Sequence, residues 1–182
     1  MDETTKLTGK QKWEKRFNAV KTLHREITKP REIKVLDLLI DKETAKDILL
    51  GIKDLDYRPY EYGYNKLLLS DNVLTALSKY KDDPAVIAAC DGWEVKDVLD
   101  PIRIVRSIHY HDESNEWFMD VKVDHNDLIL VDNNACISMY EDFQDTTLFE
   151  MIDEQGEEYG KVPLYTYYFV LGELIDMENL DD

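Results

Sequence analysis

The chain of 182 residues has few cysteines and no long apolar run. Its two cysteines, Cys90 and Cys136, lie far apart without C-x-x-C spacing, so they are expected to be reduced thiols in a cytoplasmic protein. No apolar run approaches the roughly twenty residues that a helix needs to cross a bilayer, so no membrane span is expected. The polar opening MDETTKLTGK is not expected to act as a signal peptide.

Basic residues are scarce toward the C-terminus, and the net charge is −17. Residues 1–34 hold ten Lys/Arg and five Asp/Glu, residues 35–106 hold ten and fourteen, and residues 107–182 hold two and twenty. An acidic field repels free nucleic acid and accelerates encounter with basic surfaces. The alternative is an acidic surface that only keeps the protein in solution. The carboxylates predicted to bind a basic partner are Asp120, Asp124 and Asp127.

Motifs for nucleotide cofactors, serine hydrolases and zinc helices are absent: the sequence has no Walker loop, G-x-G-x-x-G, G-x-S-x-G or H-E-x-x-H. No cofactor is therefore predicted. His109 and His111 share one face of a predicted strand, and His125 lies just beyond the partner strand. These imidazoles could bind zinc, catalyse acid–base cleavage of RNA, or simply be exposed. No metal site is predicted, because cysteine partners at zinc spacing are missing.

The stretch from Lys34 to Tyr60 has a strand–helix–strand pattern. Val35, Leu36, Leu38, Leu39 and Ile40 form an apolar run of strand length, and Asp41 follows at a position that favours an N-cap. Gly51 stands where the helix should end, because glycine adopts the left-handed C′ conformation without a Cβ penalty. Residues 53–58 are predicted to form the second strand. The helix has an apolar stripe formed by Ala45, Ile48, Leu49 and Ile52.

Residues 51–58, GIKDLDYR, resemble the G-x-K-x-x-E-x-R signature of ASCH domains, which are small β-barrels similar to the PUA fold. Gly51, Lys53 and Arg58 match the signature, and Asp56 replaces its glutamate with a shorter carboxylate. In that family the signature likewise follows a strand and a helix. The resemblance implies an RNA-associated fold, and in some members a hydrolase or ribonuclease that uses the signature lysine.

The candidate catalytic residues are Lys53, Asp56 and Arg58. On a strand, Asp56 and Arg58 point to one face, with Lys53 at its entrance. A desolvated lysine can act as a base, and an arginine fork can hold a phosphate or an oxyanion. The alternative is a surface ion pair of Asp56 with Arg58, worth about 0–1 kcal/mol.

Tyrosines follow the signature closely and are candidates for RNA binding. Tyr57, Tyr60 and Tyr64 lie near Arg58 and Lys66, and aromatic rings interleaved with cations can stack bases and hold the backbone. The alternation from Tyr60 to Tyr64 also suits an ordinary strand face.

A basic helical arm is predicted for residues 1–31, ahead of an acidic domain over residues 32–182. Thr8 and Gln11 fit a capping box. The helix either packs on the domain or presents Lys15 and Arg16 to RNA phosphate, and the two roles are compatible. Its apolar stripe consists of Trp13, Phe17, Val20, Leu23 and Ile27.

The remainder is predicted to contain short helices from Ser70 and Asp83, with Trp93, Val95 and Val98 in the core, and then paired strands. The first predicted pair joins residues 102–111 to 117–124, the second joins 128–131 to 136–140, and the third joins 148–153 to 159–162. Residues 164–177 fit a helix, although residues 165–171 are β-prone. The predicted fold is α+β: a small PUA/ASCH-like curved antiparallel sheet or barrel with flanking helices and an N-terminal amphipathic helix.

The predicted function combines an RNA-directed signature with a surface that repels free RNA. The size and charge of the chain resemble those of phage-borne anti-CRISPR proteins. The leading hypothesis is an inhibitor of a Cas9-type ribonucleoprotein in a bacterial host, which blocks the nucleic-acid channel or promotes truncation of the guide RNA. One alternative is a cellular ASCH-domain ribonuclease or nucleoside amidohydrolase. Another is a DNA-mimicking antirestriction protein.

Overall fold

The computed structural model describes residues 8–12, 14, 15, 18, 31–90 and 92–180, which fall into two compact units. Unit 1 comprises Leu68–Arg103 with the described residues up to Glu32, and unit 2 comprises residues 33–67 and 104–180. The strands are β1 Glu32–Ile33, β2 Leu36–Leu39, β3 Leu55–Pro59, β4 Ile104–Val105, β5 Ser107–His111, β6 Phe118–Leu130 and β7 Tyr165–Glu178. The helices are α1 Lys42–Leu49, α2 Tyr62–Leu68, α3 Asp71–Tyr80, α4 Pro84–Ala89, α5 Val95–Val98, α6 Asn133–Phe143 and α7 Thr147–Gln155, followed by a 3₁₀ turn at Gly156–Glu158.

The main element of unit 2 is a five-stranded sheet in the order β2-β5-β6-β7-β3. β2 pairs with β5 in parallel, and the other neighbours are antiparallel, so the sheet is mixed rather than purely antiparallel. β6 and β7 are 13 and 14 residues long, and their register shifts between Asp120 and His125. Irregular pairing of this kind increases twist and bend. The sheet is a strongly curled half-barrel flanked by helices, and the predicted α+β class with a curved sheet is confirmed.

Both faces of this sheet are covered near β3. The inward side chains of β5, Ile108 and Tyr110, are fully buried. On the opposite face, α6 and α7 pack against β3 and β7 through a cluster of buried side chains. That cluster consists of Leu55, Val131, Cys136, Met139, Leu148 and Tyr168.

The predicted hairpin of residues 102–111 with 117–124 is confirmed in its main part, because β5 pairs with the start of β6. The second predicted hairpin is wrong. Residues 128–130 continue β6, and residues 136–140 lie in α6, whose buried side chains Cys136 and Met139 are three residues apart. Asp132 begins that helix, since its carboxylate accepts from the amide of Ala135 at 2.8 Å.

The third predicted hairpin and the predicted C-terminal helix are also wrong. Residues 148–153 lie in α7, and Tyr159 and Val162 form only an isolated bridge. Residues 164–177 belong to β7, where the backbone pairs with β6 from Tyr165 to Glu178. The strand alternative for residues 60–64 is wrong as well, because α2 begins at Tyr62.

The described part of unit 1 contains the helices α3, α4 and α5. Its small core joins α3 to the end of α5 through Val73, Ala76 and Leu99. Asp83 caps α4 by accepting from the amide of Ala85 at 2.9 Å, as the Asp-Pro sequence predicts. The prediction of Trp93 as a core residue is wrong, since its side chain is 71% exposed. None of the described helices is both long and apolar enough to cross a bilayer.

The predicted capping box at the start of the arm is confirmed. Thr8 donates its amide to Gln11 Oε1 at 2.9 Å, and Gln11 returns its amide to Thr8 Oγ1 at 3.2 Å. Lys15 is helical and exposed. The residues of the apolar stripe and Arg16 lie outside the described residues, so the role of the arm stays a prediction.

Candidate functional site

The predicted strand–helix–strand unit is confirmed and positions the signature. Asp41 caps α1, because its carboxylate accepts from the amide of Thr44 at 2.8 Å and from its hydroxyl at 2.7 Å. These hydrogen bonds, followed by a weaker contribution from the charge of Lys53, hold the pKa of Asp41 below its usual value. Gly51 has a φ of +73° and ends the helix at C′. The chain then enters β3 with the signature residues. Ile52 is 72% exposed and does not extend the apolar stripe of α1.

Asp56 and Arg58 point to one face of β3, as predicted, and form a bidentate ion pair. Arg58 Nε donates to Asp56 Oδ1 at 3.0 Å, and Arg58 Nη2 donates to Asp56 Oδ2 at 2.9 Å. Their side chains are 13% and 5% exposed. The alternative of a surface ion pair is therefore wrong, because both side chains are largely buried and desolvated.

Further hydrogen bonds fix this pair inside unit 2. The hydroxyl of Tyr110 on β5 donates to Asp56 Oδ2 at 2.6 Å. Arg58 Nη1 donates to the carbonyl of Leu39 at 3.0 Å and to the hydroxyl of Tyr64 at 3.2 Å. Burial disfavours the guanidinium charge, but the charge and hydrogen bonds of Asp56 outweigh burial and raise the pKa of Arg58. Burial, and then the charge of Asp56, raise the pKa of Tyr110, so its hydroxyl remains a donor.

The signature lines a cleft of about 820 Å3 in unit 2. Lys53 is partly exposed on its wall and, within the described residues, forms no ion pair. The structure therefore brings Lys53, Asp56 and Arg58 to one concave site. The other lining residues come from the end of β2, the start of α1, β3, α2 and the β5–β6 loop. They are Leu39, Ile40, Asp41, Lys42, Thr44, Tyr57, Pro59, Tyr64, Asp112, Glu113 and Ser114.

The candidate RNA-binding tyrosines fall into two places. Tyr57 and Tyr64 line the cleft. The Tyr57 hydroxyl donates to Asp145 at 3.1 Å, and burial followed by the charge of Asp145 raises the pKa of Tyr57. Tyr60 is not among the cleft-lining residues; its ring lies 5.6 Å from the ring of Tyr165 and is 47% exposed. The Tyr57 ring packs on the buried cluster of α6 and α7, on the face of β3 opposite Asp56 and Arg58, so of the three predicted rings only that of Tyr64 lies on the Arg58 side of the strand.

The histidines do not form one group. His109 Nδ1 contacts Asp120 at 2.5 Å, His111 contacts Asp37, and the two rings lie 5.4 Å apart. His125 instead hydrogen-bonds the hydroxyl of Tyr168 at 3.1 Å. No group of three or more His, Cys, Asp or Glu side chains among the described residues could hold a metal ion.

The three carboxylates predicted to bind a partner are not equivalent. Asp120 is engaged by His109, and Asp127 accepts from the amide of Leu128 at 2.8 Å. Asp124 is exposed and lies over Gly172, where an added Cβ would meet its carboxylate at 2.5 Å. A denser acidic surface lies on α6, α7 and the 3₁₀ turn, because residues 132–158 contain nine Asp/Glu and no Lys, Arg or His.

Two features of the site have no signal in the sequence. Tyr110 contacts Asp56 from a strand 54 residues later, and Leu39 contributes only a backbone carbonyl. The composition of residues 132–158 indicates an acidic surface, but the sequence predicts strands there, whereas in the structure two helices carry these carboxylates.

Comparison with family models, curated proteins and solved structures finds no match to this chain.

Proposed function

We propose that the cleft of unit 2 binds a nucleotide of single-stranded RNA, with Lys53 contacting a phosphate and an aromatic side chain contacting the base. The observation that carries the proposal is the placement of Lys53, which has no ion pair within the described residues, in one cleft with Tyr64, whose ring lies 5.9 Å from the Arg58 guanidinium. The ASCH-like signature supports the same ligand class.

The dimensions and polarity of the cleft suit one nucleotide. Its volume of about 820 Å3 falls in the usual range for small-molecule sites, roughly 300–1,000 Å3. Base recognition in single strands commonly combines stacking on an aromatic ring with hydrogen bonds to base edges. Glu113, an exposed carboxylate that lines the cleft, can accept from a 2′-hydroxyl or from the amino group of a base.

The charged residues that line the cleft determine the expected affinity. Lys42 and Lys53 line it together with Asp41, Asp112 and Glu113, so the cleft is not strongly basic. Long-range attraction is therefore weak, and binding depends on the local contact with Lys53 rather than on the field of the whole protein. We expect modest affinity for free RNA and a shallow dependence on salt.

The experiment measures the affinity of a fluorescein-labelled single-stranded RNA by anisotropy for the wild type, Lys53→Ala and Lys161→Ala. Lys161 is a matched control, because it is an exposed cation of unit 2 that pairs with Glu158 outside the cleft. Loss of a charge-assisted contact should weaken binding by roughly 10- to 100-fold in Lys53→Ala. The slope of log K against log salt should also fall by about one. Equal affinities of the two variants would refute the proposal.

A second proposal is inhibition of a Cas9-type ribonucleoprotein, and the acidic surface of α6 and α7 supports it. The helices expose apolar side chains among the carboxylates: Ile137 is 50%, Tyr140 is 54% and Phe149 is 40% exposed. An apolar centre within a charged rim is the usual anatomy of a protein interface, and the charge suits a basic channel. The exposed carboxylates are Glu141, Asp142, Glu150, Asp153, Glu154, Glu157 and Glu158.

This proposal is tested by association with a Cas9-type complex and by the integrity of its guide RNA. Reversing Glu141 and Asp153 to lysine should slow association more than it speeds dissociation, because exposed charges act mainly through steering. Asp124→Lys on β6 is the control. RNA cleavage without the complex would favour an enzyme, cleavage only with it would favour guide truncation, and binding without cleavage would favour blockade. Association that is indifferent to charge reversal and to salt would refute docking through this surface.

A further inference from the structure

The two edge strands of the curled sheet, β2 and β3, are joined by a side chain. Edge strands leave backbone N–H and C=O groups without sheet partners. The carbonyl of Leu39, the last residue of β2, accepts at 3.0 Å from Arg58, which lies on β3. A side chain of one edge thus satisfies a backbone group of the other edge.

We propose that Arg58 is a positioning residue that clasps β3 to β2 and so sets the width of the cleft, rather than a group that binds the ligand. Four of its five N–H groups have protein acceptors within 3.2 Å: two on Asp56, the Leu39 carbonyl and the Tyr64 hydroxyl. Only one N–H group of the guanidinium therefore remains to bind a phosphate. Lys53 is then the signature cation that meets the ligand, and this part of the inference depends on the proposed function.

Asp56 and Tyr110 hold the Arg58 side chain in position. Asp56 is 4% exposed and holds Arg58 in a bidentate geometry, which fixes the plane of the guanidinium. Tyr110 lies on β5, the neighbour of β2, and its hydroxyl donates to the same carboxylate. The network therefore connects β3 to β5 through Asp56 and to β2 through Arg58.

The position of the clasp explains its effect on the cleft. The residues that follow Leu39 form one wall, including Asp41 and Thr44 at the start of α1. Tyr57 and Pro59 on β3 also line the cleft. The hydrogen bond from Arg58 to Leu39 links these two groups, so its loss should let them separate and weaken every contact with the ligand.

The test compares two probes, uridine and uridine 5′-monophosphate, in the full-length wild type, Arg58→Lys and Lys53→Ala. Lysine keeps the charge but cannot reach the carboxylate, the carbonyl and the hydroxyl together. A clasp predicts that Arg58→Lys weakens both probes by the same factor, whereas Lys53→Ala weakens only the monophosphate. Weakening of the monophosphate alone in Arg58→Lys would show that Arg58 binds phosphate and would overturn the inference.

Hydrogen exchange gives a readout that does not depend on any ligand. The amide of Ile40 donates to the carbonyl of His111 at 2.9 Å and reports on the end of β2. Its exchange should be at least several-fold faster in Arg58→Lys than in the wild type, and the melting temperature should fall. Tyr64→Phe, which removes one acceptor, should show a smaller increase and keeps the test valid where the Arg58 variant fails to fold. Unchanged exchange in both variants would overturn the clasp, while a wild type that binds neither probe but shows the exchange effect would refute only the proposed function.

Discussion

The hydroxyl of Tyr110 donates a 2.6 Å hydrogen bond to the buried carboxylate of Asp56. This contact joins β5 to β3 across the inside of the half-barrel and places a donor on a carboxylate that already holds Arg58. A buried carboxylate needs partners for its lone pairs, because burial without them is costly. The folded state of unit 2 therefore depends on a polar network at the site itself.

Tyr110→Phe tests the energetic weight of this contact. The variant keeps the ring, which is fully buried, and removes only the donor. The free energy of unfolding should fall by about 1–3 kcal/mol, the usual cost of an unsatisfied buried acceptor. Chemical denaturation measures this change in the free energy of unfolding. The control is Tyr140→Phe: the side chain of Tyr140 is 54% exposed, so this variant should change stability by less than about 0.5 kcal/mol. Equal losses in the two variants would show that the Tyr110 hydroxyl is not needed by Asp56.

Two glycines should respond to alanine in opposite directions. Gly51 has a φ of +73° at the end of α1, where a Cβ is strained, so Gly51→Ala should cost about 1–2 kcal/mol. Gly63 lies in α2 with no positive φ and open space around an added Cβ, so Gly63→Ala should stabilise by up to about 1 kcal/mol. Thermal melts of the two variants in parallel check the signs. Destabilisation by Gly63→Ala would contradict the assigned helix.

The sequence predicts the signature unit well because its signals are local. An apolar run, an aspartate cap and a glycine stop each specify backbone structure within a few residues, and all three are confirmed. The shared face of Asp56 and Arg58 also follows from the period of a strand. Their burial does not follow, because Tyr110 and Leu39 arrive from elsewhere in the chain.

The sequence wrongly predicts a helix for the residues of β7, because burial on both faces removes the period-two signal. Residues 166–169 are all buried, with the half-barrel interior on one side and α6 and α7 on the other. Without alternation, the fit of residues 164–177 to a helix is the stronger signal in the sequence, although it is coincidental. In the structure these residues form a strand, because their backbone pairs with β6, which lies far away in the sequence.

Folding stability should respond to pH through His111. The hydrogen bond to Asp37, assisted by the backbone carbonyl of Asp112, raises the pKa of His111 above 6.5. The protonated form is favoured in the folded state, so this contribution is fully present below the unfolded pKa and is lost as pH rises through the folded pKa. Unfolding free energies from pH 5 to 8 should therefore fall more steeply in the wild type than in Asp37→Asn. Identical pH slopes would contradict a role for the pair.

Photocrosslinking tests the central claim most directly, because it locates the RNA on the protein. Single-stranded RNA containing 4-thiouridine is irradiated with the full-length protein, and the crosslinked peptides are identified by mass spectrometry. The account predicts crosslinks within residues 53–64, which include Lys53, Tyr57 and Tyr64, and their loss in Lys53→Ala. Crosslinks confined to residues 1–31 or to the acidic helices α6 and α7, unchanged in Lys53→Ala, would contradict it.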